Sequence, residues 1–138
     1  MRTMFAVALV AGLSAAALAE EVGPNKGPVA EWGEEEYHLE ILPDAKTGAV
    51  TVYVYGNHDD LHKGKKKAID AKGLTLVLKS TDPNTTVKLE PAPEKDDPKG
   101  ASTKFTGKSD AFKKEMKISG TVSGKVGTKP YSGDFKQK

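Results

Sequence analysis

From Glu36 onward the chain alternates apolar and polar residues with a period of two. Over 36–42, Tyr37, Leu39 and Ile41 fall on one face of an extended segment, and His38 and Glu40 fall on the other. Over 49–55, Val50, Val52 and Val54 oppose Thr51, Tyr53 and Tyr55. This is the side-chain repeat of half-buried β-strands. Between the two runs, Pro43, Asp44 and Gly48 supply the fixed and permissive backbone angles of a turn, so the pair predicts a β-hairpin. An antiparallel register across that turn sets His38 opposite residues 53–55.

The pattern continues beyond a polar stretch at 56–66. Residues 73–80 place Leu74, Leu76 and Leu78 on one face, and 85–91 repeat the alternation with Val87 and Leu89 after a turn at Thr81-Asp82-Pro83-Asn84. A Pro- and charge-rich loop over 91–101 leads to a short strand centred on Phe105. Ser109 or Asp110 is placed to cap one helical turn over 109–115. The tail alternates Met116, Ile118, Gly120 and Val122, turns near Gly127-Thr128 and returns through Tyr131 and Phe135. Short strands at intervals of about 8–15 residues, with no long helical repeat, predict an all-β domain. The expected architecture is an immunoglobulin-like two-sheet sandwich of about seven antiparallel strands, with an open barrel of similar size as the alternative. Residues 34–138 form the expected domain. Residues 20–33, rich in Gly and Pro without periodicity, are expected to be a flexible lead-in, with Trp32 pinning it to the domain.

The N-terminus has a different composition. Arg2 precedes an uncharged run from Met4 to Leu18, which closes on Ala17-Leu18-Ala19 before Glu20-Glu21. Positive, apolar and small-residue regions in this order predict a signal peptide over 1–19, cleaved on export. The run is shorter and richer in Ala than a membrane anchor of about 20 apolar residues. No Cys occurs in the chain, so neither a lipid-modified cysteine nor disulfides are available, and the core must supply the stability. The expected product is periplasmic or secreted and monomeric, with no transmembrane segment.

Charge divides the sequence. Residues 20–60 carry ten acids and two lysines, whereas 61–138 carry nine acids and eighteen lysines. Interleaving strands would mix these charges in the fold. Every cation after Arg2 is Lys, which lacks the planar fork used for bidentate phosphate and base contacts; nucleic-acid binding is not expected. The acidic run Glu34-Glu35-Glu36 and the basic run Lys63 to Lys67 are expected to be solvated.

Candidate chemistry concentrates in one loop. Asn57-His58-Asp59-Asp60-Leu61-His62 packs two imidazoles and two carboxylates into six residues. His-x3-His suits a metal when both rings share a helix face. His38 is the third histidine, and the hairpin register brings it toward His58. The candidate site for Zn²⁺ or Cu²⁺ is therefore His58, His62 and Asp59 or Asp60, with His38 as a further ligand. No nucleophile elbow, phosphate loop or zinc-protease helix is present.

Glu36 to Ile41, the run from Asp44 through Thr47-Gly48 to Val54, Ala101 to Gly107, and Gly127 with Tyr131 to Phe135 together resemble small exported bacterial β-sandwich proteins of uncharacterised function. The resemblance runs from about Glu35 to Phe135 and implies fold and compartment. Periplasmic copper carriers place a His at the mature N-terminus and use Met-rich loops. Here the mature chain would begin at Glu20, and Met116 is its single Met. The leading expectation is a non-catalytic binding module of the periplasm or cell exterior, with no cofactor and with an envelope protein or small ligand as partner. The second is a metal-handling protein using the His58–His62 loop, and the third a small metal-dependent hydrolase.

Overall fold

The structure, a computed structural model, describes residues 21–72 and 76–137. The expected signal peptide at 1–19 lies outside the described residues, as do residues 73–75 of the predicted strand 73–80.

The chain forms strands β1 (Val29–Trp32), β2 (Tyr37–Pro43), β3 (Ala49–Tyr55), β4 (Ile69–Asp70), β5 (Leu76–Asp82), β6 (Asn84–Pro91), β7 (Ala101–Ser102), β8 (Lys104–Lys108), β9 (Ser119–Val126) and β10 (Lys129–Lys136). A short helix, α1 (His58–His62), follows β3, and one 3-10 turn spans Asp110–Phe112 with Ser109 as its cap.

The immunoglobulin-like two-sheet sandwich is not what forms. Eight strands in the order β1-β2-β3-β8-β6-β5-β9-β10 join in one antiparallel sheet that curls into a nearly closed barrel. Alternation specifies one buried face per strand, and sandwiches and barrels both satisfy it. The difference lies in one ladder. β8 pairs with β3 on one side and with β6 on the other, through Glu90 opposite Thr106 and Pro91 opposite Phe105. A sandwich would be interrupted there. β4 and β7 form a separate two-stranded ribbon.

The edge strands β1 and β10 come together at the seam. At Gly133 a Cβ would strike the carbonyl of Glu31, so only glycine lets β10 approach the β1 backbone this closely. Trp32 stacks on Tyr131 with centroids 5.3 Å apart and planes 7° from parallel. Its Nε1–H donates to the Val122 carbonyl at 3.0 Å. The sole Trp thus ties β1 to both β9 and β10. The stretch set aside as a flexible lead-in contains a barrel strand, and the domain includes residues before 34.

Inside the barrel, Leu39, Ile41, Val50, Val52, Val54, Leu76, Leu78, Val87, Leu89, Phe105, Val122 and Phe135 form one core with Trp32, matching the alternation in the sequence. The β2–β3 hairpin has the expected register, with His38 opposite Tyr55. A second, smaller cluster of Val29, Tyr55 and Leu61 lies outside the barrel wall, where α1 covers β2 and β3. No helix among the described residues is long and apolar enough to cross a membrane.

Candidate metal centre

Three pieces of chain converge on the outer face of β2. The first is β2 itself. His38 and Glu40 point out of the barrel, as alternation requires, yet His38 is 1% exposed and Glu40 is fully buried.

The second is residues 21–28, which fold back over β2. Gly23 N–H donates to Gly27 O, Lys26 N–H to Gly23 O, and Val22 bridges Pro28. Glu40 holds this turn. One carboxylate oxygen accepts from Asn25 N at 2.8 Å and Gly27 N at 2.9 Å; the other accepts from Asn25 Nδ2 at 3.0 Å and the Tyr55 hydroxyl at 3.2 Å. Four donors satisfy a carboxylate that no lysine pairs with among the described residues. Burial, reinforced by the adjacent Glu40 charge, pushes the Tyr55 phenol well above the ordinary tyrosine range. The clasped turn places Glu21 over His38.

The third piece is α1. Asn57 caps it: its Oδ1 accepts from Asp60 N at 2.9 Å, and Asp60 Oδ2 accepts from Asn57 N at 3.3 Å. That reciprocal pair starts the helix, and Leu61 anchors it to Val29 and Tyr55. In a helix, His58 and His62 share one face.

The result is a compact group. One ligand atom each from Glu21, His38 and His58 lies within 4.8 Å of the others. Glu21 Oε1 is 3.3 Å from His58 Nδ1 and 3.7 Å from His38 Nε2. Two ligands on a tetrahedral zinc stand about 3.3–3.4 Å apart, given metal–ligand bonds of about 2.0–2.1 Å; the Glu21–His58 pair is at that spacing and His38 lies somewhat beyond it. His38 contributes the defining feature. Its Nδ1 lies 2.9 Å from the Gly56 carbonyl, which can only accept, so Nδ1 carries the proton. In the neutral ring Nε2 then presents a lone pair. It is buried without a hydrogen-bond partner among the described residues, since Glu21 at 3.7 Å and Glu31 at 3.8 Å are too distant. Metal-ligating histidines commonly have one ring nitrogen oriented by such a carbonyl, which leaves the other for the ion.

Of the residues singled out in the sequence, His38 and His58 meet here. His62 sits beside His58, with the two Nε2 atoms 2.9 Å apart, outside the three-residue group. Asp60 is occupied in the cap and Asp59 is exposed; neither joins the cluster. The segment 56–66, expected to be a plain polar loop, contains the helix. The Asn57 and Asp60 spacing is the signal for it. Glu21 was not singled out, because nothing local to it shows that the chain folds back over β2.

Both charge runs are exposed, as expected, and three of their residues have partners. Glu36 receives Lys129 Nζ at 2.9 Å and the Tyr131 hydroxyl at 3.0 Å, which hold its carboxyl below the usual range. Lys66 pairs with Glu94 at 2.9 Å, lowering that carboxyl, and Lys67 lies over the Tyr37 ring. In comparison with known proteins, no family model, no curated protein and no solved structure matches the chain.

Proposed function

We propose that this protein is a non-catalytic metal-handling module of the periplasm or cell exterior. It holds one divalent transition-metal ion, Zn²⁺ or Cu²⁺, through Glu21, His38 and His58. The observation that carries this reading is the buried, unpartnered Nε2 of His38, aimed at a carboxylate and a second imidazole. Leaving such a nitrogen unpaired costs about 1–3 kcal/mol, a cost that ligation would offset.

Two imidazoles and a carboxylate suit Zn²⁺ and Cu²⁺. Cu⁺ favours thiolate and thioether ligands, and the chain has no Cys and few Met. The His58 ring is 45% exposed, so the site opens to solvent on the α1 side and lets an ion enter and leave. Three protein ligands leave a fourth position for water or an exchanging group. The compartment rests on the export signal in the N-terminal sequence.

Calorimetric titration with Zn²⁺ and Cu²⁺ tests the reading. The expected result is one site with Kd below about 10 micromolar, weakened at least tenfold by His58→Ala and by Glu21→Gln. Both positions are partly exposed, so these variants should retain the fold. Weaker binding, or affinity indifferent to both substitutions, would overturn the proposal.

A further inference from the structure

His58 has two ring nitrogens, and the structure gives them different neighbours. Nδ1 faces Glu21 Oε1 at 3.3 Å. Nε2 faces His62 Nε2 at 2.9 Å, with the two rings nearly perpendicular at 81°. A neutral imidazole carries a single proton. If the ion takes the lone pair of His58 Nδ1, the proton must reside on Nε2, and the atom opposite must accept it. His62 Nε2 can do so only with its own proton on Nδ1. One choice of ligating nitrogen therefore sets the tautomers of both rings.

We infer that His62 is a positioning residue for this metal site and not one of its ligands, an inference that rests on the metal-binding reading above. The lone-pair directions at Nδ1 and Nε2 of one imidazole diverge, so an ion on the Glu21 side of His58 is turned away from His62. His62 accepts the His58 Nε2–H, holds the ring of a half-exposed side chain in its ligating orientation and raises the basicity of Nδ1. The i, i+4 spacing makes this work because α1 stacks the two rings on one face. His-x3-His here serves one metal bond and one supporting hydrogen bond. The rival geometry has His58 Nε2 and His62 Nε2 share the ion, which would leave the buried His38 Nε2 without a role.

Copper provides the test, because its electron paramagnetic resonance counts coordinating nitrogens. The protein carrying one equivalent of Cu²⁺ is compared with His62→Ala and His62→Gln. The expected result is the same nitrogen count in all three. Affinity should fall about 10- to 100-fold in His62→Ala and largely recover in His62→Gln, whose side-chain carbonyl accepts the same hydrogen bond. Loss of one nitrogen in His62→Ala, unchanged affinity, or equal losses in the two variants would overturn the positioning role while leaving the metal site standing. Failure of the unsubstituted protein to bind Cu²⁺ or Zn²⁺ would instead remove the site itself.

Discussion

On the inner face of β2, Leu39 and Ile41 are wholly buried among the apolar side chains of the barrel. On its outer face, His38 and Glu40 are just as dry, beneath the 21–28 turn and α1. The inner face is stabilised by loss of apolar surface from water and tolerates apolar side chains of the right volume. The outer face gains little from that effect. It holds an imidazole and a carboxylate, groups that cost free energy to bury unless bonded. Glu40 recovers the cost through four hydrogen bonds. His38 recovers half of it, through Nδ1. Equal burial with unequal satisfaction separates the two faces, and the proposed metal site rests on the unsatisfied one.

That contrast can be broken from either side. Ile41→Ala should be the most destabilising change, by about 2–5 kcal/mol, measured by urea unfolding. Metal affinity of the fraction that remains folded should not change, because Ile41 faces away from the site. Glu40→Gln should cost less, about 1–3 kcal/mol, since an amide nitrogen replaces one of the two acceptor oxygens. Unlike Ile41→Ala, it should also weaken Zn²⁺ binding, because the turn that places Glu21 loosens. An effect on stability alone would separate the clasp from the metal site.

Tyr55→Phe should be the mildest, about 0.5–1.5 kcal/mol at neutral pH for one lost hydrogen bond. It also has a pH signature. Burial and Glu40 raise the folded-state phenol above its unfolded value, so its contribution is fully present below about pH 10. That contribution is lost as pH rises from there toward the folded-state value. Thermal unfolding between neutral and alkaline pH should show a shallower decline in Tyr55→Phe. Part of the decline should persist, since burial and the hydrogen bond to Glu36 also raise Tyr131.

The same contrast explains what could be read from the sequence. The inner face was legible because period-two alternation is a local property; Val50, Val52 and Val54 needed no knowledge of their neighbours. The hairpin register was legible too, since one turn sets it, and it correctly brought His38 toward His58. The continuity of the sheet was not, because it depends on β8 pairing with β6, from which it is separated by the loop 92–100 and β7. The outer face was hidden for a related reason. Alternation placed His38 and Glu40 on the face away from the core, and only the fold-back of 21–28, pinned by Glu40, reveals that this face is covered. Glu21 is 17 residues from His38 in sequence and 3.7 Å from it in space. The helix at 58–62 was within reach, because Asn57 and Asp60 form a capping pair, yet one turn of helix carries no repeat to read.

The most direct measurement is a crystal structure of the zinc-loaded protein with anomalous data at the zinc edge. One ion is expected within about 2.0–2.2 Å of a Glu21 carboxylate oxygen, His38 Nε2 and His58 Nδ1, with His62 hydrogen-bonded to His58 and not to the ion. An ion bound elsewhere, or none beside His38 when zinc is in excess, would contradict that expectation.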